Sequence, residues 1–224
     1  MFQKTENRFP CQSAFSLVEL LVAIAVAAAL AALVFMGLRG VFAAGDRARC
    51  ISNLRQIGSA VAAYAQDHHG QLPGSTATVQ HWTYYTFTTR RGAGLTVWLA
   101  PYLALPPPVS GGSVAECFVC PAARRQVRER HLTTVNASYG AGVTLIEETG
   151  KKVFPFGYYS SSTVNEILPL KLQTIPTEVS KTLALLDADR VKYAGNVVVP
   201  EVPSHGTFRN ALYLDGHVAP LPLE

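Results

Sequence analysis

The chain contains no G-x-x-x-x-G-K-[ST] phosphate loop, no G-x-S-x-G nucleophile elbow and no H-E-x-x-H zinc helix. That removes the commonest NTPase, serine-hydrolase and zinc-peptidase arrangements. No internal repeat is present, which excludes solenoids and propellers. Charge of one sign is sparse: the formal net charge is +4, of which Lys4, Glu6 and Arg8 supply +1. The only dense basic cluster is Arg124, Arg125, Arg128 and Arg130, interrupted by Glu129 and without interleaved aromatics. It reads as a solvated loop or helix face, and no nucleic acid is expected as a partner.

Cysteine is scarce as well, with four residues: Cys11, Cys50, Cys117 and Cys120. The Cys117-Phe-Val-Cys120 spacing suits a redox or half-zinc motif, yet no second cysteine pair or nearby histidine pair completes a metal site. Pro121 follows the pair, which argues against a thioredoxin-type role. A structural bridge from Cys50 to Cys117 or to Cys120, or free thiols, are the open readings. Cys11 precedes the apolar run and is not read as a lipidation site.

What the chain does have is a run of 19 uncharged residues, 20–38, with Glu19 as the one charge near its start. At 1.5 Å per residue such a helix spans about 28 Å, close to the bilayer core. A carboxylate costs about 2.5 kcal/mol or more at mid-bilayer and less near the interface, so Glu19 asks for a reason. Small residues after a short apolar run would mark a cleaved secretory signal; here Ala14 lies before the run, so cleavage there would leave the anchor on the mature chain. Lys4 and Arg8 precede the segment and Arg39, Arg47 and Arg49 follow it, so charge count alone does not orient it.

Between Asp46 and His68, apolar residues at Ala48, Ile51, Leu54, Ile57, Val61, Tyr64 and Ala65 recur at spacings of three and four. They predict an amphipathic continuation of the same helix, about fifty residues in all. Gly70 and Pro73-Gly74 supply a stop, His68 and His69 read as last-turn residues, and Gly37, Gly40 and Gly45 weaken the join between the halves.

The segment Ala14-Phe-Ser-Leu-Val-Glu19-Leu-Leu-Val resembles the N-terminus of type IV prepilins and type II secretion pseudopilins. The resemblance implies cleavage by a prepilin peptidase between Ala14 and Phe15, N-methylation of Phe15, and pairing of Glu19 with a neighbouring subunit during assembly. Most prepilins carry Gly before the cut, where this chain has Ala14. The implied organisation is a cytoplasmic leader at 1–14, a transmembrane half-helix at 15–38, an amphipathic half at 39–69 and a globular head at 70–224. The implied location is a single-pass inner-membrane protein, N-terminus cytoplasmic, head periplasmic or extracellular, assembling with other pilin or pseudopilin subunits through inner-membrane machinery.

A second set of blocks is similar to a prepilin subgroup: Arg49-Cys-Ile-Ser-Asn-Leu-Arg-Gln-Ile-Gly58, Trp98-Leu-Ala-Pro-Tyr-Leu103, Cys120-Pro121 and Ala137-Ser-Tyr-Gly140. His205, nine residues, then Asp215-Gly216 resembles its C-terminal H-x(9)-D-G processing-associated domain.

The head reads as an antiparallel sheet, giving an α+β, pilin-like fold. Residues 210–221 predict a hairpin with a type I′ turn at Asp215-Gly216. Residues 181–187 read as a buried strand, 136–146 and 156–162 as further strands, and Gly195-Asn196 as a turn into a strand at 197–199. Residues 105–113 read as loop, and 163–176 remain ambiguous. His205, Asp215 and His217 invite a metal, but Asp215-Gly216 is read as a turn and His205 as a residue hydrogen-bonded to a loop or sheet end. Asp187 and Asp189 are where calcium would bind if any does; otherwise no cofactor is expected. The expected role is a structural filament subunit rather than an enzyme. The alternative is a stationary membrane-anchored binding module, with a metal-dependent enzyme third.

Overall fold

The computed structural model describes residues 16–84, 94–107, 109, 112–128, 137–146, 150–159, 166–196 and 198–223. The chain divides into two units, residues 1–42 and 43–224. One helix, α1 (Leu17–Asp67), contributes to both and stays helical through Gly37, Gly40 and Gly45.

In the first unit every described side chain of α1 up to Phe35 is exposed. Leu17, Leu20, Leu21, Ile24, Leu30, Leu33 and Phe35 are among them. Burying side chains of this size is worth roughly 1.5–3 kcal/mol each, so leaving this many in water is costly enough to demand another medium. By length and composition the helix is able to cross a membrane, with mean hydropathy 2.7 over its most apolar 18 residues.

In the second unit the helix buries one face. Cys50, Asn53, Leu54, Ile57, Ala60, Val61, Tyr64 and Ala65 are buried, while Arg49, Ser52, Arg55, Gln56 and Ser59 are exposed. The buried stripe is rotated slightly from the expected one, for Ala48 is exposed and Ile51 half-buried, while Cys50 and Asn53 turn inward. Two bonds explain the rotation: Cys50 is disulfide-bonded to Cys120, and Asn53 Nδ2 donates to Val119 O at 2.8 Å. The helix ends where His69 and Gly70 take positive φ and the Gly70 N–H returns to Ala65 O at 2.7 Å, a Schellman-type stop. His68 and His69 thus lie just past the helix rather than in its last turn.

This half-helix packs on a five-stranded, wholly antiparallel sheet of order β1 (Val79–His81), β4 (Ala137–Ala141), β7 (Leu183–Asp187), β8 (Phe208–Tyr213), β9 (Val218–Pro222). Contact is close: a Cβ on Gly58 would lie 3.0 Å from Leu212 Cδ1 of β8. Edge strand β9 carries Pro220 and Pro222, which offer no N–H to a further strand. Two two-stranded sheets, β2 (Thr83–Tyr84) with β3 (Ser113–Val114) and β5 (Thr144–Ile146) with β6 (Lys151–Val153), complete the described strands. Helices α2 (Leu95–Leu99) and α3 (Pro121–Arg128) add to the core through Leu95, Leu99, Ala122 and Ala123.

Several expectations change. The β8–β9 turn is not type I′: Asp215 keeps negative φ, Gly216 sits at φ +90°, and the Gly216 N–H closes on Tyr213 O at 3.0 Å. This is a type I turn followed by a left-handed glycine bulge. The 136–146 stretch is two strands, split after Ala141. Residues 156–159 form no strand, only a Tyr158–Ile167 bridge, because Gly157 is left-handed at φ +66°; the rest of that expected strand lies outside the described residues. Val198 and Val199 form a turn, capped by Asn196 Oδ1 on the Val198 N–H, and Val197 lies outside the described residues. The expected loop at 105–113 ends in β3. The ambiguous 163–176 stretch contains a short 3-10 helix, Leu172–Thr174.

Leu54 is fully buried and Arg55 exposed. Leu54→Ala is expected to destabilise the head by about 2–5 kcal/mol and Arg55→Ala by well under 1 kcal/mol. Denaturant unfolding of the detergent-solubilised chain measures the difference; equal costs would contradict the packing described.

Candidate functional site

Two regions carry chemistry-bearing side chains. The first is the start of α1. Ala14 and Phe15 lie outside the described residues. Ser16 precedes the helix: its Oγ accepts the Val18 N–H at 3.4 Å, and its own N–H donates to Glu19 Oε2 at 3.2 Å. The Glu19 carboxylate returns to the N-cap N–H as in a capping box, while the Ser16 hydroxyl caps the second N–H of the helix, that of Val18. The carboxylate also faces the positive end of the helix dipole. Sequence reasoning missed this local role of Glu19, although the S-x-x-E spacing was its signal.

The second region lies in the head, where segments far apart in sequence converge. Cys50 of α1 is bonded to Cys120, 70 residues on, directly before α3. Pro121 opens α3, where a missing N–H is harmless, and the Cys120 N–H donates to Ser138 Oγ of β4 at 2.9 Å. His205, on the segment leading into β8, places Nε2 3.4 Å from Cys120 Sγ and 3.7 Å from Asp187 Oδ2 at the end of β7. A disulfide sulfur has no hydrogen, so the ring nitrogen is the donor. Asp187 Oδ2 accepts from the backbone N–H and Nδ2 of Asn210, at 2.7 and 2.9 Å. Asp187 Oδ1 is buried with no partner among the described residues.

Burial pushes the Asp187 carboxyl up to about 7; Asn210's hydrogen bonds oppose it, and Asp189 adds to it. Burial holds His205 below its ordinary value, with the Arg47 cation acting in the same direction. His205 is therefore neutral near pH 7, and its contact with Asp187 is not a full ion pair.

Beside this cluster is a cavity of about 680 Å³ lined by Asp46, Arg47, Arg125, Ser204, His205 and Phe208, among others. The Arg47 guanidinium lies 4.3 Å over the Phe208 ring. Asp46 and Arg125 form an ion pair. Arg47 Nε and Ser204 Oγ are buried without partners among the described residues.

The remaining expected site residues lie elsewhere. Asp215 and Gly216 form the β8–β9 turn, and Asp215 Oδ1 accepts from the N–H and Nδ1 of His217 at 3.1 and 2.6 Å. Slight burial would raise the Asp215 carboxyl, but these hydrogen bonds outweigh it and hold the group below its usual range. No hydrogen bond or ion pair joins His205 to Asp215 among the described residues. Asp189 is held by Arg209, Nε to Oδ2 at 2.6 Å and Nη2 to Oδ1 at 2.9 Å, so a guanidinium occupies both oxygens where calcium was considered. Of the basic cluster, Arg124 and Arg125 of α3 pair with Glu116 and with Asp46 of α1 respectively. Of the open cysteine readings the structure has the Cys50–Cys120 bridge, with Cys117 free; the convergence of Asp187 and His205 on it was not readable, because no short spacing relates them.

A long N-terminal helix with an apolar first half, joined to an antiparallel sheet, defines the class: a pilin-like α+β protein. The family model described as the prokaryotic N-terminal methylation motif matches residues 10–35, 26 of the 224. That match supports a prepilin-type protein. No curated protein and no solved structure matches the chain.

Cys117 is the free thiol among the described cysteines, and burial chiefly pushes it up to about 11 from 9.0. Only the thiolate reacts, so at pH 8 the folded chain offers roughly a hundredfold less of it than a thiol at 9. Peptide-resolved iodoacetamide labelling should be roughly that much slower at Cys117 in folded than in denatured chain, the gap narrowing as pH approaches 11. Equal rates at pH 8 would contradict the burial.

Proposed function

We propose that this chain is a prepilin-type structural subunit, cut by prepilin peptidase between Ala14 and Phe15, methylated at Phe15 and assembled into a pilus or secretion pseudopilus. The carrying observation is the methylation motif at residues 10–35, running directly into an exposed apolar helix. Before assembly that helix crosses the inner membrane, with residues 1–14 cytoplasmic and the head, residues 70–224, periplasmic or extracellular. Transfer from lipid to a bundle of sister helices keeps the apolar side chains out of water, so extraction loses little hydrophobic free energy. The work of the chain is packing, not catalysis, and its partners are the peptidase, sister subunits and the inner-membrane assembly machinery.

Glu19 serves twice in this reading. One oxygen accepts the Ser16 N–H, a bond that survives cleavage because Ser16 keeps its peptide N–H. An ionised carboxylate has acceptor capacity left for a neighbour's charged N-terminal amine. That pairing neutralises a charge that lipid or a helix bundle would otherwise penalise.

The two roles separate by substitution. Glu19→Gln keeps an acceptor for the cap and loses the charge; Glu19→Ala loses both. Both variants should insert in the membrane at wild-type level and be absent from sheared filaments or pseudopili. Normal incorporation of Glu19→Gln would overturn the charge pairing and leave the cap as the role of Glu19.

A further inference from the structure

We propose that Cys50, Cys120 and His205, with Asp187 as fourth donor, form a zinc(II) site that exists only when the Cys50–Cys120 bridge is open. The bridge thus acts as a redox gate on metal binding.

The geometry carries this. One donor atom each from Cys50, Cys120 and His205 lies within 4.8 Å of the others. Tetrahedral zinc with ligand bonds of about 2.3 Å to sulfur and about 2.0–2.2 Å to nitrogen and oxygen requires S···N and N···O edges of about 3.4–3.6 Å. Here Nε2 of His205 is 3.4 Å from Cys120 Sγ and 3.7 Å from Asp187 Oδ2. The sulfur–nitrogen edge is thus already at its bonded length, and the same ring nitrogen lies beside the Asp187 carboxyl. Asn210 holds Oδ2, so the oxygen Asp187 has to give is Oδ1, buried without a partner among the described residues; the carboxyl stands outside the 4.8 Å group of Cys50, Cys120 and His205 and turns toward the ion to ligate it. Of the other four edges, the one between the two sulfurs is closed by the disulfide bond, and opening that bond frees both sulfurs to spread around an ion.

The donor set fits the ion. Two thiolates, an imidazole and a carboxylate oxygen in a closed site suit zinc, and two thiolates cancel its charge where burial would otherwise penalise it. Of the four donors, His205 also lines the cavity of about 680 Å³. Opening the gate takes two electrons and two protons from an external dithiol, which itself becomes a disulfide, and leaves Cys50 and Cys120 as thiols. Binding then releases both thiol protons. Reoxidation by a disulfide donor reverses the sequence, expelling the ion. Cys117, although it shares a C-x-x-C spacing with Cys120, takes no part.

The test uses the full chain in detergent micelles, with cobalt(II) as the spectroscopic probe and zinc(II) as competitor. The dithiol-reduced wild-type chain should take up one cobalt per chain, with a thiolate-to-cobalt charge-transfer band and tetrahedral d–d bands that zinc abolishes. The oxidised chain should take up none. Cys117→Ser should leave this unchanged, Cys50→Ser should abolish it, and His205→Ala and Asp187→Asn should each weaken binding at least about tenfold. Each variant is first checked for wild-type circular dichroism. No uptake by the reduced wild-type chain, folded or not, overturns the proposal. So does loss of uptake in Cys117→Ser, or unchanged affinity and d–d bands in a folded His205→Ala.

Discussion

A single helix here has two solvents to satisfy, and that demand organises the rest of the chain. Up to Phe35 the described side chains of α1 are exposed and overwhelmingly apolar; from Cys50 to Ala65 one stripe is buried against the head. Hydrophobic burial scales with apolar area, so the first stretch needs lipid or a protein bundle, while the second already has its partner. The ionisable group at the N-terminal end of the apolar run, Glu19, is placed at the first turn, where capping and the helix dipole both favour a carboxylate.

In the head, the covalent and polar bonds explain which stripe of the helix turns inward. The Cys50–Cys120 bridge closes a long loop, an effect worth about 4 kcal/mol in the chain-entropy account. It sets the rotation of α1 together with Asn53, and the absence of a side chain at Gly58 lets the helix approach β8. Below it the sheet buries two acids in two ways. Asp189 has a bidentate guanidinium, so its charge is compensated. Asp187 has only Asn210 and a neutral histidine, so its carboxyl is pushed toward neutrality. An acid left half-satisfied beside a disulfide and a histidine is the most unusual feature of the head.

The class of fold was legible because its signals are local and periodic. Uncharged residues 20–38 and the three-four spacing of Leu54, Ile57, Val61 and Tyr64 mark the helix, and Asp215-Gly216 between alternating runs marks the β8–β9 hairpin. Strand boundaries were read less well where one left-handed glycine interrupts an apparently extended run, as at Gly157. The turn type was misjudged because Asp-Gly suits two turns that differ in the φ of the aspartate. A Cys50–Cys120 bridge was among the sequence readings, but the arrival of Asp187 and His205 beside it was beyond them: these come from separate blocks, and only the sheet order places β7 and β8 side by side under α1. Pairing of His205 with Asp215, which their fixed spacing invites, does not occur among the described residues, since the hairpin carries Asp215 into a turn with His217.

The central claim is that the anchor is a processed prepilin helix, and the N-terminus of the protein recovered from membranes decides it most directly. Intact-mass measurement with N-terminal sequencing, in a host with an active prepilin peptidase, should give a chain beginning at N-methylated Phe15. A chain retaining Met1 through Ala14 in that host would contradict processing and leave α1 as a fixed membrane anchor.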